Sequence, residues 1–136
     1  MDRKNILLVE DERRIRTGLA FILTEAGYRV NAAEDGKEAL CMALAISGNG
    51  EHIHILMTDI QMPNMSGFDL INELREKKIQ PDLIMAISGY GDKKTVDELK
   101  NNGCDEFVQK PFKPEELLKK LQDALIKKTN HCEKTK

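Results

Sequence analysis

The chain lacks a long apolar run. Bilayer spans need about 20 consecutive apolar residues, and with 32% of its 136 residues charged the sequence offers nothing of that kind. A secretory leader is not expected either. Met1-Asp2-Arg3-Lys4-Asn5 leads into four apolar residues before Glu10, short of the roughly 7–15 that a leader needs, so the cytoplasm is the default compartment. Charge of one sign is not in excess either: 21 Lys+Arg against 23 Asp+Glu leave −2, which argues against a dedicated nucleic-acid binder. Cysteine is scarce. Cys41, Cys104 and Cys132 are odd in number and widely spaced, which fits neither a zinc site nor a secreted disulfide framework, and they read as reduced thiols. Internal repeats and low-complexity stretches are absent.

What is present is an alternation. Asn5-Ile6-Leu7-Leu8-Val9 is a continuous apolar run ending in acid, the pattern of a strand buried on both faces. Ile15, Leu19, Ile22 and Ala26 follow at helical spacing, with Gly27 placed to end the helix. Tyr28–Ala32 reads as a weaker strand, and Leu40, Ala43 and Leu44 mark a second helix. A third strand is predicted over His52–Thr58, ending at Asp59, then a helix capped by Ser66 and carrying Leu70, Ile71 and Leu74. A fourth strand over Leu83–Ile87 ends at Ser88-Gly89. A weak helix with Val96 and Leu99 closes at Asn102-Gly103, and Glu106–Gln109 is a fifth short strand. Pro114 suits the first position of a last helix with Leu117, Leu118, Leu121, Ala124 and Leu125 on its buried stripe. Residues 128–136 read as a polar, frayed tail or the start of a linker, leaving one domain over residues 1–127. The expected fold is α/β: five parallel strands with five helices on both faces.

In such sheets the site lies beyond the carboxyl ends of the strands, near the switch in strand order. Those ends carry Glu10-Asp11, Asp59, Ser88 and Lys110. Three carboxylates on one edge repel unless a cation joins them, and hard oxygen donors suit Mg²⁺ or Mn²⁺. A lysine can pair with a carboxylate and with phosphoryl oxygens, and a hydroxyl can donate to the same oxygens. A carboxylate can itself be the nucleophile, giving an aspartyl phosphate. His52 and His54 lie two apart at the other end of their strand and lack a third ligand nearby, so they are not read as a metal site.

Four ordered motifs resemble the receiver domain of two-component response regulators: Leu7-Leu8-Val9-Glu10-Asp11-Glu12; Thr58-Asp59-Ile60-Gln61-Met62-Pro63-Asn64-Met65-Ser66-Gly67; Ile87-Ser88-Gly89-Tyr90; and Gly103-Cys104-Asp105-Glu106-Phe107-Val108-Gln109-Lys110-Pro111-Phe112. The resemblance spans residues 4 to about 127 and implies a flavodoxin-like doubly wound (βα)5 fold in a stand-alone, chemotaxis-regulator-like arrangement. It implies Asp59 as phosphoacceptor, and Glu10, Asp11, Asp59 and the Gln61 backbone carbonyl as Mg²⁺ (or Mn²⁺) ligands. By the same resemblance Ser88 and Lys110 contact the phosphoryl group, Phe107 is a switch aromatic following Ser88, and the bond before Pro111 is cis. The departures are Glu10 where aspartate is commoner, Ser88 for threonine, Phe107 for tyrosine and Cys104 for alanine.

The resemblance further implies a phosphorelay switch rather than a turnover enzyme, with self-catalysed phosphorylation and dephosphorylation. A histidine kinase or histidine phosphotransfer protein would be the donor. The output would be a downstream protein or an output domain outside this chain, acting through a surface from Asp92 to Ile126 that is also a dimer face in the family. Neither nucleic acid nor membrane is expected as a direct partner of this domain. Two alternatives stay open: a degenerate receiver that binds partners without phosphate, and a small phosphohydrolase with an aspartate nucleophile. Against the second, Gln61 stands where a second acid is wanted. A flavin carrier is disfavoured by acids where its phosphate loop would lie.

Overall fold

The computed structural model describes residues 3–89 and 91–134. Five strands alternate with five helices: β1 (Asn5–Val9), α1 (Arg13–Glu25), β2 (Arg29–Ala33), α2 (Gly36–Gly48), β3 (Ile55–Asp59), α3 (Gly67–Glu76), β4 (Leu83–Ser88), α4 (Lys93–Asn101), β5 (Glu106–Gln109) and α5 (Pro114–Lys134). The strands form one parallel sheet in the order β2-β1-β3-β4-β5. The doubly wound α/β architecture expected from the sequence is the one observed.

Side-chain alternation along each strand feeds two cores. Ile6 and Leu8 of β1, with Ile55 and Met57 of β3, meet Leu19 and Leu23 of α1 and Leu117 and Leu121 of α5 on one face. Leu7, Val9 and Leu56 meet Ala39 and Ala43 of α2 and Leu70 and Leu74 of α3 on the other. Both faces of β1 and β3 are therefore covered, which is why those strands read as unbroken apolar runs. The edge strand β2 is buried only at Ala33 and has the weaker signal to match. Around α4 the core thins to Ile60, Ala86 and Leu99, flanked by Phe68, Cys104 and Phe107.

Local chemistry sets the element ends. Gly27 takes φ 102° just past α1, a conformation that suits glycine, and Gly103 takes φ 90° past α4. Ser66 caps α3, and Asp69 completes a reciprocal capping box with it. Two boundaries differ from the sequence reading. Strand β3 begins at Ile55, not His52. The His54 ring Nδ1 accepts the Asn5 N–H at 2.9 Å, so the regular ladder opens one residue later, at Ile6 and Ile55. Helix α5 continues to Lys134, so residues 128–134 are helical rather than frayed. No glycine or proline interrupts that stretch. Its first residue, Lys128, makes an ion pair to Asp105 (3.2 Å) and a hydrogen bond to the Asp82 carbonyl.

Candidate functional site

Strand β1 lies between β2 and β3, so the chain reverses its direction of winding at the β1–β3 boundary. The register pairs Val9 with Thr58, which sets Glu10-Asp11 beside Asp59. Carboxylate oxygens of Glu10, Asp11 and Asp59 all lie within 4.8 Å of one another. Glu10 and Asp59 are buried, and Asp11 is exposed at the mouth. From the far edge of the sheet Lys110 reaches across, its Nζ 2.9 Å from Asp59 Oδ2 and 3.0 Å from Glu10 Oε1, with Glu12 at 4.0 Å.

The two buried carboxylates are held in place. The Gln61 N–H donates to Asp59 Oδ1 at 3.1 Å, and the Glu12 N–H donates to Glu10 Oε2 at 3.0 Å. Lys110 donates to Oε2 at 3.3 Å; although it sits close to Oε1, it is not in hydrogen-bonding alignment with that atom. Glu10 Oε1 is thus a buried acceptor lacking a hydrogen bond. A hard divalent cation is the natural partner for such an oxygen beside two more carboxylates. The donor set therefore fits Mg²⁺ or Mn²⁺, with Glu10, Asp11 and Asp59 as holders.

Electrostatics agree with this geometry. Burial pushes the Glu10 carboxyl up to about 7, aided by Asp11 and Asp59 and opposed by the Glu12 amide and Lys110. Burial alone would pull the Lys110 ammonium down, but its bonds to Asp59 and Glu10 outweigh that and raise it to about 12. Lysine therefore stays charged against the acids at every ordinary pH.

The remaining expected residues line the same rim. Ser88 ends β4, is buried, and its carbonyl accepts the Lys110 N–H at 2.8 Å. Asp59 pairs with Ile87, the residue before Ser88. Phe107 on β5 pairs with Ala86 and packs in the small core beneath α4. The Lys110–Pro111 bond is cis. Tyr90 lies outside the described residues.

His52 and His54 are at the opposite rim, where His52 Nε2 is 2.9 Å from Asp82 Oδ1, and neither joins the acidic cluster. Cys41 and Cys104 are free; the Cys132 side chain lies outside the described residues.

Two participants were not legible in the sequence. Arg16 Nη1 donates to the Glu10 carbonyl at 2.9 Å and more weakly to that of Asp11 at 3.4 Å. A Cβ on Gly67 would stand 2.7 Å from the Asp59 carbonyl oxygen, so the loop after β3 folds back onto the site only with glycine there. The sequence signals for Gly67 were its place after the Ser66 cap and at the end of the Thr58–Gly67 motif, neither of which told of the close approach to Asp59.

The sequence model of the response regulator receiver domain matches residues 6–122. The chain belongs to the response regulator receiver family. Among its relatives, response regulator RR06 of Streptococcus pneumoniae is 36% identical over 124 residues, covering 91% of this chain and 54% of that protein. The transcriptional regulatory protein FixJ of Rhizobium meliloti is 33% identical over 117 residues, covering 86% and 54%. The receiver thus spans about half the length of the curated relatives it matches. Among solved structures, the chemotaxis protein CheY4 of Vibrio cholerae superposes with a TM-score of 0.80 at 31% identity, covering 90% of this chain and 99% of that one. The receiver is a signalling domain of two-component systems, and its rim carries the acidic pocket of that family. No helix among the described residues is long and apolar enough to cross a membrane.

Proposed function

We propose that Asp59 is the phosphoacceptor of this receiver. The observation that carries this reading is the buried Asp59 carboxylate at the β1–β3 switch, with Lys110 Nζ at 2.9 Å and Glu10 and Asp11 beside it. An Asp59 carboxylate oxygen attacks phosphorus, the bond from phosphorus to the donor's imidazole nitrogen breaks, and its electron pair leaves with the imidazole. Glu10, Asp11, Asp59 and the Gln61 carbonyl would hold Mg²⁺ (or Mn²⁺), which would neutralise the phosphoryl oxygens. Lys110 follows the new charge, and the Ser88 hydroxyl donates to a phosphoryl oxygen. Water later returns aspartate and inorganic phosphate. The chain performs both steps on itself and is a switch rather than a turnover enzyme.

The donor is a histidine kinase or histidine phosphotransfer protein in the cytoplasm. A groove of about 540 Å³ beside Lys110, with Ile15, Leu19, Phe112 and Pro114 among its walls and Glu12 and Arg14 at its edge, is the surface offered to that donor. The output surface comprises α4, β5 and α5, with Phe107 coupling it to Ser88. It engages a downstream protein, an output domain or a second copy of the receiver.

Intact-mass measurement after incubation with acetyl phosphate tests the assignment. A gain of about 80 Da, dependent on Mg²⁺ and lost in Asp59→Asn, is the expected result. No adduct and no turnover of acetyl phosphate would favour a phosphate-independent binding module. Turnover without adduct under rapid quenching would favour a phosphohydrolase.

A further inference from the structure

The start of α1 has no ordinary cap. Its N-cap residue Glu12 makes no side-chain capping bond, and its first turn carries no acid. What orders the β1–α1 turn instead is Glu10. Its N–H donates to the Ala33 carbonyl at 3.1 Å, its Oε2 accepts the Glu12 N–H at 3.0 Å, and its carbonyl accepts from Arg16 at 2.9 Å. With those three groups fixed, Oε1 makes no hydrogen bond and has the Lys110 ammonium 3.0 Å away. The same guanidinium nitrogen lies 3.4 Å from the Asp11 carbonyl. One side chain therefore grips the backbone of two carboxylates that close on a common point.

We propose that Arg16 is a positioning residue for the divalent cation, clamping the Glu10 and Asp11 carbonyls so that both carboxylates stay aimed before the ion arrives. The proposal rests on the cation site described above. Two effects of removing Arg16 oppose each other. Coulomb attraction alone predicts tighter cation binding when a neighbouring positive charge is deleted. Loss of the clamp frees a part-buried carbonyl and lets the turn move, which weakens binding. Outer-shell partners of metal ligands are worth about tenfold or more in affinity, whereas one solvent-screened charge is worth less. The clamp therefore prevails.

Mn²⁺ binding to the whole chain at pH 8, read from the free-ion electron paramagnetic resonance signal with Mg²⁺ as competitor, provides the test. Arg16→Ala is expected to weaken the dissociation constant about tenfold, and Arg16→Lys to restore part of the loss. Arg13→Ala, which removes an equal charge from an exposed position of the same turn, is expected to leave binding unchanged or slightly tighter. Arg16→Gln carries the same expectation as Arg16→Ala if the alanine variant fails to fold by urea titration. Arg16→Ala or Arg16→Gln binding as tightly as Arg13→Ala would overturn the clamp while leaving the site intact. Equal binding by wild type and Asp11→Asn, or none by wild type, would overturn the cation site itself and the clamp with it.

Discussion

Glu10 is the costliest residue of the rim. It is fully buried, one of its oxygens lacks a hydrogen bond, and its carboxyl is pushed up to about 7 by burial. A carboxyl whose folded value exceeds its unfolded one favours the native state at low pH, and that advantage is lost as pH rises through the folded value. In the presence of a chelator, wild type should lose stability relative to Glu10→Gln as pH rises from about 5 to 9. The expected relative change is about 1–3 kcal/mol, read from urea midpoints of the two proteins. A flat difference would show that Lys110 compensates the charge completely. The acids, Ser88 and Lys110 were legible as single residues because each ends a strand, and parallel strands bring their ends to one rim. Arg16 was not, since its contact with a carbonyl six residues back depends on how the turn is wound, which no periodicity encodes.

Among the elements, the loop between β3 and α3 is closely confined by backbone. The Gly67 N–H donates to the Ile60 carbonyl at 2.9 Å, and an added Cβ would lie 2.7 Å from both the Asp59 carbonyl oxygen and Ile60 Cδ1. The first of these is backbone and cannot yield cheaply. Gly67→Ala should cost about 1–3 kcal/mol in urea unfolding and slow Mg²⁺-dependent adduct formation from acetyl phosphate. Unchanged values for both would mean that the loop shifts freely without disturbing Asp59. Helix identity was readable from stripes such as Leu70, Ile71 and Leu74, and from the Ser66 cap. Helix length was not always readable: α5 runs on past its apolar stripe through Lys128, which meets Asp105 and the Asp82 carbonyl, partners remote in sequence. The start of β3 was misplaced for a similar reason, a ring nitrogen of His54 taking an amide that β pairing would otherwise use.

Across the whole molecule, burial is uneven. Helix α3 buries Gly67, Leu70, Ile71 and Leu74, whereas α4 buries only Leu99. Elements with few buried apolar contacts open most readily. Hydrogen exchange followed by mass spectrometry should find α4 amides exchanging well ahead of those in α3 and in the central strands β1 and β3. Equal protection of α3 and α4 would contradict a movable output face. The layered sheet followed from alternating apolar runs, and the weak Val96–Leu99 stripe already set α4 apart, but the thin core of Ile60, Ala86 and Leu99 beneath it did not show in the sequence.

The Lys110–Glu10 contact joins residues 100 positions apart. A polypeptide still emerging from the ribosome therefore carries its acids long before the lysine that balances them. Until β5 docks, those carboxylates stand together without their counter-charge. The charge balance of the rim is thus complete only after nearly the entire domain has been synthesised and closed.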